Sequence, residues 1–107
     1  MAWYKLYPEK FDRDRNLTWH RMRAQARHRG EAWDLSFEDY CEFWPTEELW
    51  RLRGRASDAL CMTRLDPNGA WSRDNCVVLP RLDQARYKNA LFWNTDPEPH
   101  LSRAKKL

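Results

Sequence analysis

The chain has 107 residues, 42% of them hydrophobic and seven of them tryptophan, which suits the single modest core of one domain. A charged fraction of 33% without a long apolar run excludes a transmembrane span and a secretory signal, so a soluble cytoplasmic protein with no membrane partner is expected. The formal net charge is only +3, but residues 13–29 hold Arg13, Arg15, Arg21, Arg23, Arg27 and Arg29 against Asp14, and a phosphate backbone feels the nearest face rather than the total.

Residues 1–15 mix aromatic and charged side chains, and Pro8 interrupts regular structure, so they read as an extended arm. From Asn16 or Thr18, either of which can cap a helix, Trp19, Met22 and Ala26 recur at spacings of three and four, and Gly30 is a natural stop. This predicts an amphipathic helix whose other face carries Arg21, Arg27 and His28, with His20 and Arg23 on the flanks. That face either binds phosphate or is simply solvated. EAWDL at 31–35 reads as a short strand. Ser36 followed by Asp39 forms a capping box for a helix that buries Phe37, Tyr40, Cys41 and Trp44 and ends at Pro45. A further short helix should follow Thr46, with Glu47 and Glu48 near its positive end and Gly54 as its stop.

LCMTRL and CVVLP, joined through the turn signal DPNG, predict a hairpin with a wide loop. RLDQARYKNALFW then predicts a helix with Leu82, Ala85, Lys88 or Asn89, and Phe92 along one side. The domain is expected over 16–93, as a helical part (16–57) and a strand-strand-helix core (58–93). Residues 94–107, with two prolines beside His100 and with Lys105 and Lys106 near the end, read as a mobile basic tail. Cys41, Cys61 and Cys76 lack CxxC spacing and read as free, buried thiols.

TRLDPNGAWSRDNCVVLP followed by DQARYKNA resembles the core of phage and bacterial HNH-type proteins, the ββα-metal superfamily. The upstream RAQARHRGEAWDLSFEDY resembles the segment that precedes that core, so the likeness covers roughly residues 18–92. It implies an α+β fold: a hairpin whose loop is pinned by an asparagine, packed on a helix, and preceded by two or three short helices. It also implies phosphodiester hydrolysis in a bacterial host cell, with magnesium or another divalent cation neutralising phosphate and a histidine activating water. By motif, the histidine position falls on Arg64, the adjacent acid on Thr63, the loop asparagine on Asn75, and the helix ligand near Gln84 or Asn89. The usual catalytic histidine and acid are therefore absent. Arg64 is a poor base and suits a phosphate clamp, while Asp66, two residues further along the same strand face, either ligates a metal or starts the turn.

Arg21, Arg23, Arg27, Arg29, Arg73, Arg81, Arg86 and Lys88 are the candidate nucleic-acid contacts, and Trp71 either packs on the hairpin or stacks on a base. Two functions are consistent with this pattern. One is a DNA-binding protein with metal-dependent endonuclease or nickase activity. The other is a non-catalytic phage module that binds nucleic acid or inhibits a host enzyme of defence, transcription or replication.

Overall fold

A computed structural model describes the backbone of residues 3–107 and the side chains from Lys5 onward. The chain is mixed α+β: helices α1 (Trp3–Leu6), α2 (Lys10–His28), α3 (Phe37–Phe43), α4 (Glu47–Arg51) and α5 (Arg81–Phe92), strands β1 (Trp33–Asp34), β2 (Leu60–Arg64), β3 (Trp71–Ser72) and β4 (Cys76–Pro80), and a 3-10 turn at Glu98–Leu101. None of the helices among the described residues is long and apolar enough to cross a membrane.

The expected arm is largely helical, apart from residues 1 and 2, which lie outside the described part. Pro8 stands just before the N-cap residue Glu9, where a fixed φ and a missing N–H cost nothing, so it precedes a helix rather than breaking one. Helix α2 consequently begins at Lys10, well before Asn16 or Thr18, and Asn16 is buried within it rather than capping it. Arg15 is buried as well; it donates to the Trp44 carbonyl at 2.9 Å and pairs with Asp12 one turn back. The C-terminal end agrees with expectation, since Gly30 takes φ +73°, a conformation that favours glycine.

Ala26 of α2 is fully buried with Leu35, Tyr40, Phe43, Trp44, Met62, Trp71, Cys76 and Val78, and Trp19, Met22 and Phe37 pack against this core. Trp19 and Trp33 both donate their indole N–H to the Leu35 carbonyl, at 3.0 and 2.8 Å, so two large rings share one acceptor at the turn into α3. The capping box is present: Asp39 N–H donates to Ser36 Oγ at 3.0 Å and Ser36 N–H to Asp39 Oδ2 at 3.3 Å. Thr46 caps α4 by accepting from Leu49 N–H at 3.1 Å.

Strands β2 and β4 form the antiparallel hairpin, in register from Leu60 opposite Pro80 to Arg64 opposite Cys76. Inside its loop, β3 pairs in parallel with β1, Trp33 opposite Trp71, a second small sheet for which two residues per strand leave no readable periodicity. Helix α5 follows β4 without a break. Its buried face is Asp83, Tyr87 and Ala90, not Leu82, Ala85 and Phe92; Leu82 is exposed and Phe92 is 78% exposed. The apolar pattern misleads here because the inner face is made of polar groups that find partners. Asp83 receives both arms of Arg103, at 2.8 and 3.0 Å, and Tyr87 Oη donates to the Leu65 carbonyl at 2.5 Å.

Those partners also correct the tail. Residues 94–107 are docked on the domain: Val78 and Lys105 exchange backbone bonds of 3.0 and 2.8 Å, and Leu101 and Ala104 pack on Cys61, Val77 and Leu79. Cys61 and Cys76 are buried free thiols, as expected, whereas Cys41 is only half-buried. Burial pushes the Cys76 thiol up to about 11. Removing residues 98–107 should lower unfolding stability by on the order of 2–3 kcal/mol, from the lost backbone bonds and apolar contacts. Urea denaturation checks this, and the Lys105 amide of the full chain should be protected in hydrogen exchange.

Candidate functional site

The hairpin loop is built around Asn75. Its side-chain oxygen accepts from Asp66 N–H at 2.9 Å, and its amide donates to the carbonyls of Asp66 and Ala70 at 3.0 and 2.9 Å. The Leu65 N–H bond to the Asn75 carbonyl, 2.7 Å, closes the mouth of the loop. Asp66 starts the turn, its carboxylate accepting from Asn68 N–H at 2.9 Å while Gly69 N–H reaches its carbonyl at 3.0 Å. Gly69 has to be small, because a Cβ there would lie 2.8 Å from the Asn75 amide nitrogen.

Arg64, at the end of β2, is committed inside the protein. It donates to the Gly69 carbonyl at 2.9 Å and to Glu31 Oε2 at 2.8 Å, and its guanidinium lies 5.1 Å from the Trp71 ring centre. The other Glu31 oxygen accepts from the Trp71 indole at 3.1 Å and from Arg29 Nε at 3.2 Å. One carboxylate thus joins the end of α2 to both the hairpin strand and its loop. The Trp71 N–H holds the Glu31 carboxyl below the usual carboxylate range against the opposing effect of burial, and Arg29 and Arg64 act in the same direction as Trp71. Trp71 itself is buried, so it packs and does not offer a face to a base. Arg64 likewise acts as an internal tie and not as an open phosphate clamp. A guanidinium held by two such bonds is a poor group to take a proton from water.

A groove of about 300 Å³ opens beside this cluster, walled by Arg29, Glu31, Thr63 and Arg64 on one side and Gln84 and Lys88 of α5 on the other. Of the three metal ligands expected from the sequence, only Gln84 lines it. Asp66 is exposed in its turn, and Asn89, five residues beyond Gln84, is rotated by roughly 140° around the helix axis. Among the described residues, no three His, Cys, Asp or Glu side chains gather in a way that can hold a metal ion. The groove therefore does not bring Asp66, Gln84 and Asn89 together.

The expected nucleic-acid contacts divide in two. Arg73 pairs with Asp39 at 3.3 Å and with Glu42, so it ties the loop to α3. Arg23 lies against Trp19, 4.8 Å from the ring centre, and half-buried Arg81 donates to the Gly54 carbonyl. Arg21, Arg27, Arg86 and Lys88 are exposed and make no side-chain ion pair among the described residues, and exposed Arg29 shares Glu31 with Arg64. The one sequence signal for Glu31 is that it is the only carboxylate between Asp14 and Asp34. The signal for Arg53 is that it follows Trp50 by three residues, the spacing of a helical pair.

No protein-family model matches the chain, and neither does any curated protein or solved structure.

Asn75→Ala should cost on the order of 2–3 kcal/mol by urea denaturation, one modest bond for each of three lost. Glu31 supplies a pH test. Because its folded pKa is lowered, its contribution is fully present above the unfolded carboxylate's pKa and is lost as pH falls through the lower folded value. Over that acid range the wild-type chain should lose stability more steeply than Glu31→Gln, measured by denaturation at stepped pH.

Proposed function

We propose that the protein is a DNA-binding module built on an HNH-like ββα frame, in which Arg29 at the end of α2 and Lys88 of the helix after the hairpin present cations to a phosphodiester backbone. The observation that carries this reading is the Asn75-clamped loop between two paired strands that run directly into α5, with the Arg29 and Lys88 groove beside it. The Asn75 clamp supports the reading, since the resemblance also expects an asparagine to pin the loop. The resemblance puts Arg64 at the position of the water-activating base, and here its guanidinium bonds Glu31 and the Gly69 carbonyl. Binding without hydrolysis at that position is therefore the function proposed.

Electrostatic binding of this kind depends steeply on salt, because each phosphate contact releases condensed counterions. Wild-type protein should bind a short DNA duplex by fluorescence anisotropy, with log affinity falling linearly in log salt. Lys88→Gln should weaken binding and reduce the slope by about 0.9, the share of one phosphate contact. Absence of binding at low salt would sink the proposal. Plasmid nicking that requires magnesium, manganese, nickel or zinc and disappears in Asp66→Ala would replace it with the endonuclease reading. Stable capture of one host enzyme without salt-sensitive DNA binding would point instead to the inhibitor.

A further inference from the structure

A second and larger cleft, of about 700 Å³, opens at the other end of β2. Arg21 of α2, Arg53 and Arg55 after α4, and Arg81 at the start of α5 all line it, and among the described residues no aspartate or glutamate does. Elsewhere Arg15, Arg29, Arg51, Arg64, Arg73 and Arg103 each hold a carboxylate, whereas Arg27 and Arg86 lie singly on the exposed surface without one among the described residues. Acids are plentiful in the protein, yet the cleft gathers cations without them.

Arg53 is the least ordinary of the four. Its guanidinium lies 3.6 Å from the centre of the Trp50 ring and 5.6 Å from that of Trp44, and it makes no side-chain hydrogen bond or ion pair among the described residues. Aromatic contacts on its face leave the N–H fork, which lies in the guanidinium plane, available for an acceptor. Burial pushes its pKa below the ordinary value and Arg81 pushes it the same way, while Tyr40 and Asp14 oppose. Asp14 is itself paired with Lys10 at 2.6 Å. A half-buried cation beside a second cation is stabilised by an anion between them.

Arginines reaching in from three segments match a tetrahedral group with several acceptor oxygens better than a flat carboxylate, which offers two. The position of the cleft supplies a direction. Leu60, Cys61 and Met62 line it, Thr63 and Arg64 line the smaller groove, and Gln84 lines both. The two depressions therefore lie end to end along β2, whose five residues span roughly 17 Å.

We propose that the Arg21, Arg53, Arg55 and Arg81 cleft is a phosphate-binding site, and that its phosphate belongs to a nucleic-acid strand lying along β2. The second half rests on the DNA-binding reading above; the first half does not.

The test uses the full chain and two probes. Isothermal titration with inorganic phosphate at constant ionic strength should show one site in wild type, weakened about tenfold or more in the Arg21→Gln, Arg55→Gln double variant. Both of these side chains are exposed, so the variant should fold. Arg53→Gln should weaken phosphate to a similar degree, and Lys88→Gln should leave it unchanged. A short DNA duplex titrated into the same proteins should bind several-fold more weakly to the double variant. Equal phosphate binding by wild type and the double variant overturns the site. Loss of phosphate binding with unchanged DNA affinity keeps a site for free phosphate and overturns its place on the strand. If only Lys88→Gln reduces DNA binding, the DNA-binding reading stands and this extension of it falls.

Discussion

A single carboxylate holds the two halves of the molecule in register. Glu31 follows directly on the turn that ends α2, and its oxygens take one N–H from Arg29, one from Arg64 and one from the Trp71 indole. Charge-assisted bonds of this kind are stronger than neutral ones, and here their donors come from a helix end, a strand and a loop. The β1–β3 pairing beside it involves only two residues per strand. Without Glu31, Arg64 would be a largely buried cation facing Trp71 with only the Gly69 carbonyl for company, an arrangement that proteins rarely tolerate.

The basic side chains fall into two kinds. Arg15, Arg64, Arg73 and Arg103 are fasteners, each tying its own segment to a carboxylate or backbone carbonyl of a segment distant in sequence. Arg21, Arg53, Arg55 and Lys88 carry no carboxylate and lie along the two depressions beside β2. A count of arginines in the sequence mixes these populations, which is why the net charge says little about where an anion would settle. Arg64 is the clearest case: at the motif position most suggestive of chemistry, its side chain is used for architecture.

Much of the fold was legible because it follows local rules. Gly30, the Ser36–Asp39 box, the Thr46 cap and the Asp66–Gly69 turn act through neighbours a few residues away, and each appears where the sequence places it. The misreadings share another cause. Pro8 looked like a breaker because its effect depends on which side of a helix boundary it stands. The inner face of α5 is not readable from its sequence, because Asp83 and Tyr87 are buried by partners 20 and 22 residues away and no pattern within the helix announces them. Of the site, the loop asparagine was legible through its motif, whereas the Glu31 cluster needs contacts across 33 and 40 residues.

The exchange of backbone bonds between Val78 and Lys105 has a bearing on how the protein behaves in a crowded solution. A hairpin of two strands has two open borders, and the one along β4 carries five consecutive buried residues, with Val77 and Val78 at its centre and Pro80, which lacks an N–H, at its end. By laying its last residues across the middle of that border, the chain occupies the groups that a neighbouring copy would use to extend the sheet. The lysines at 105 and 106 add charge beside this border, and charge on a sheet edge disfavours pairing with another strand.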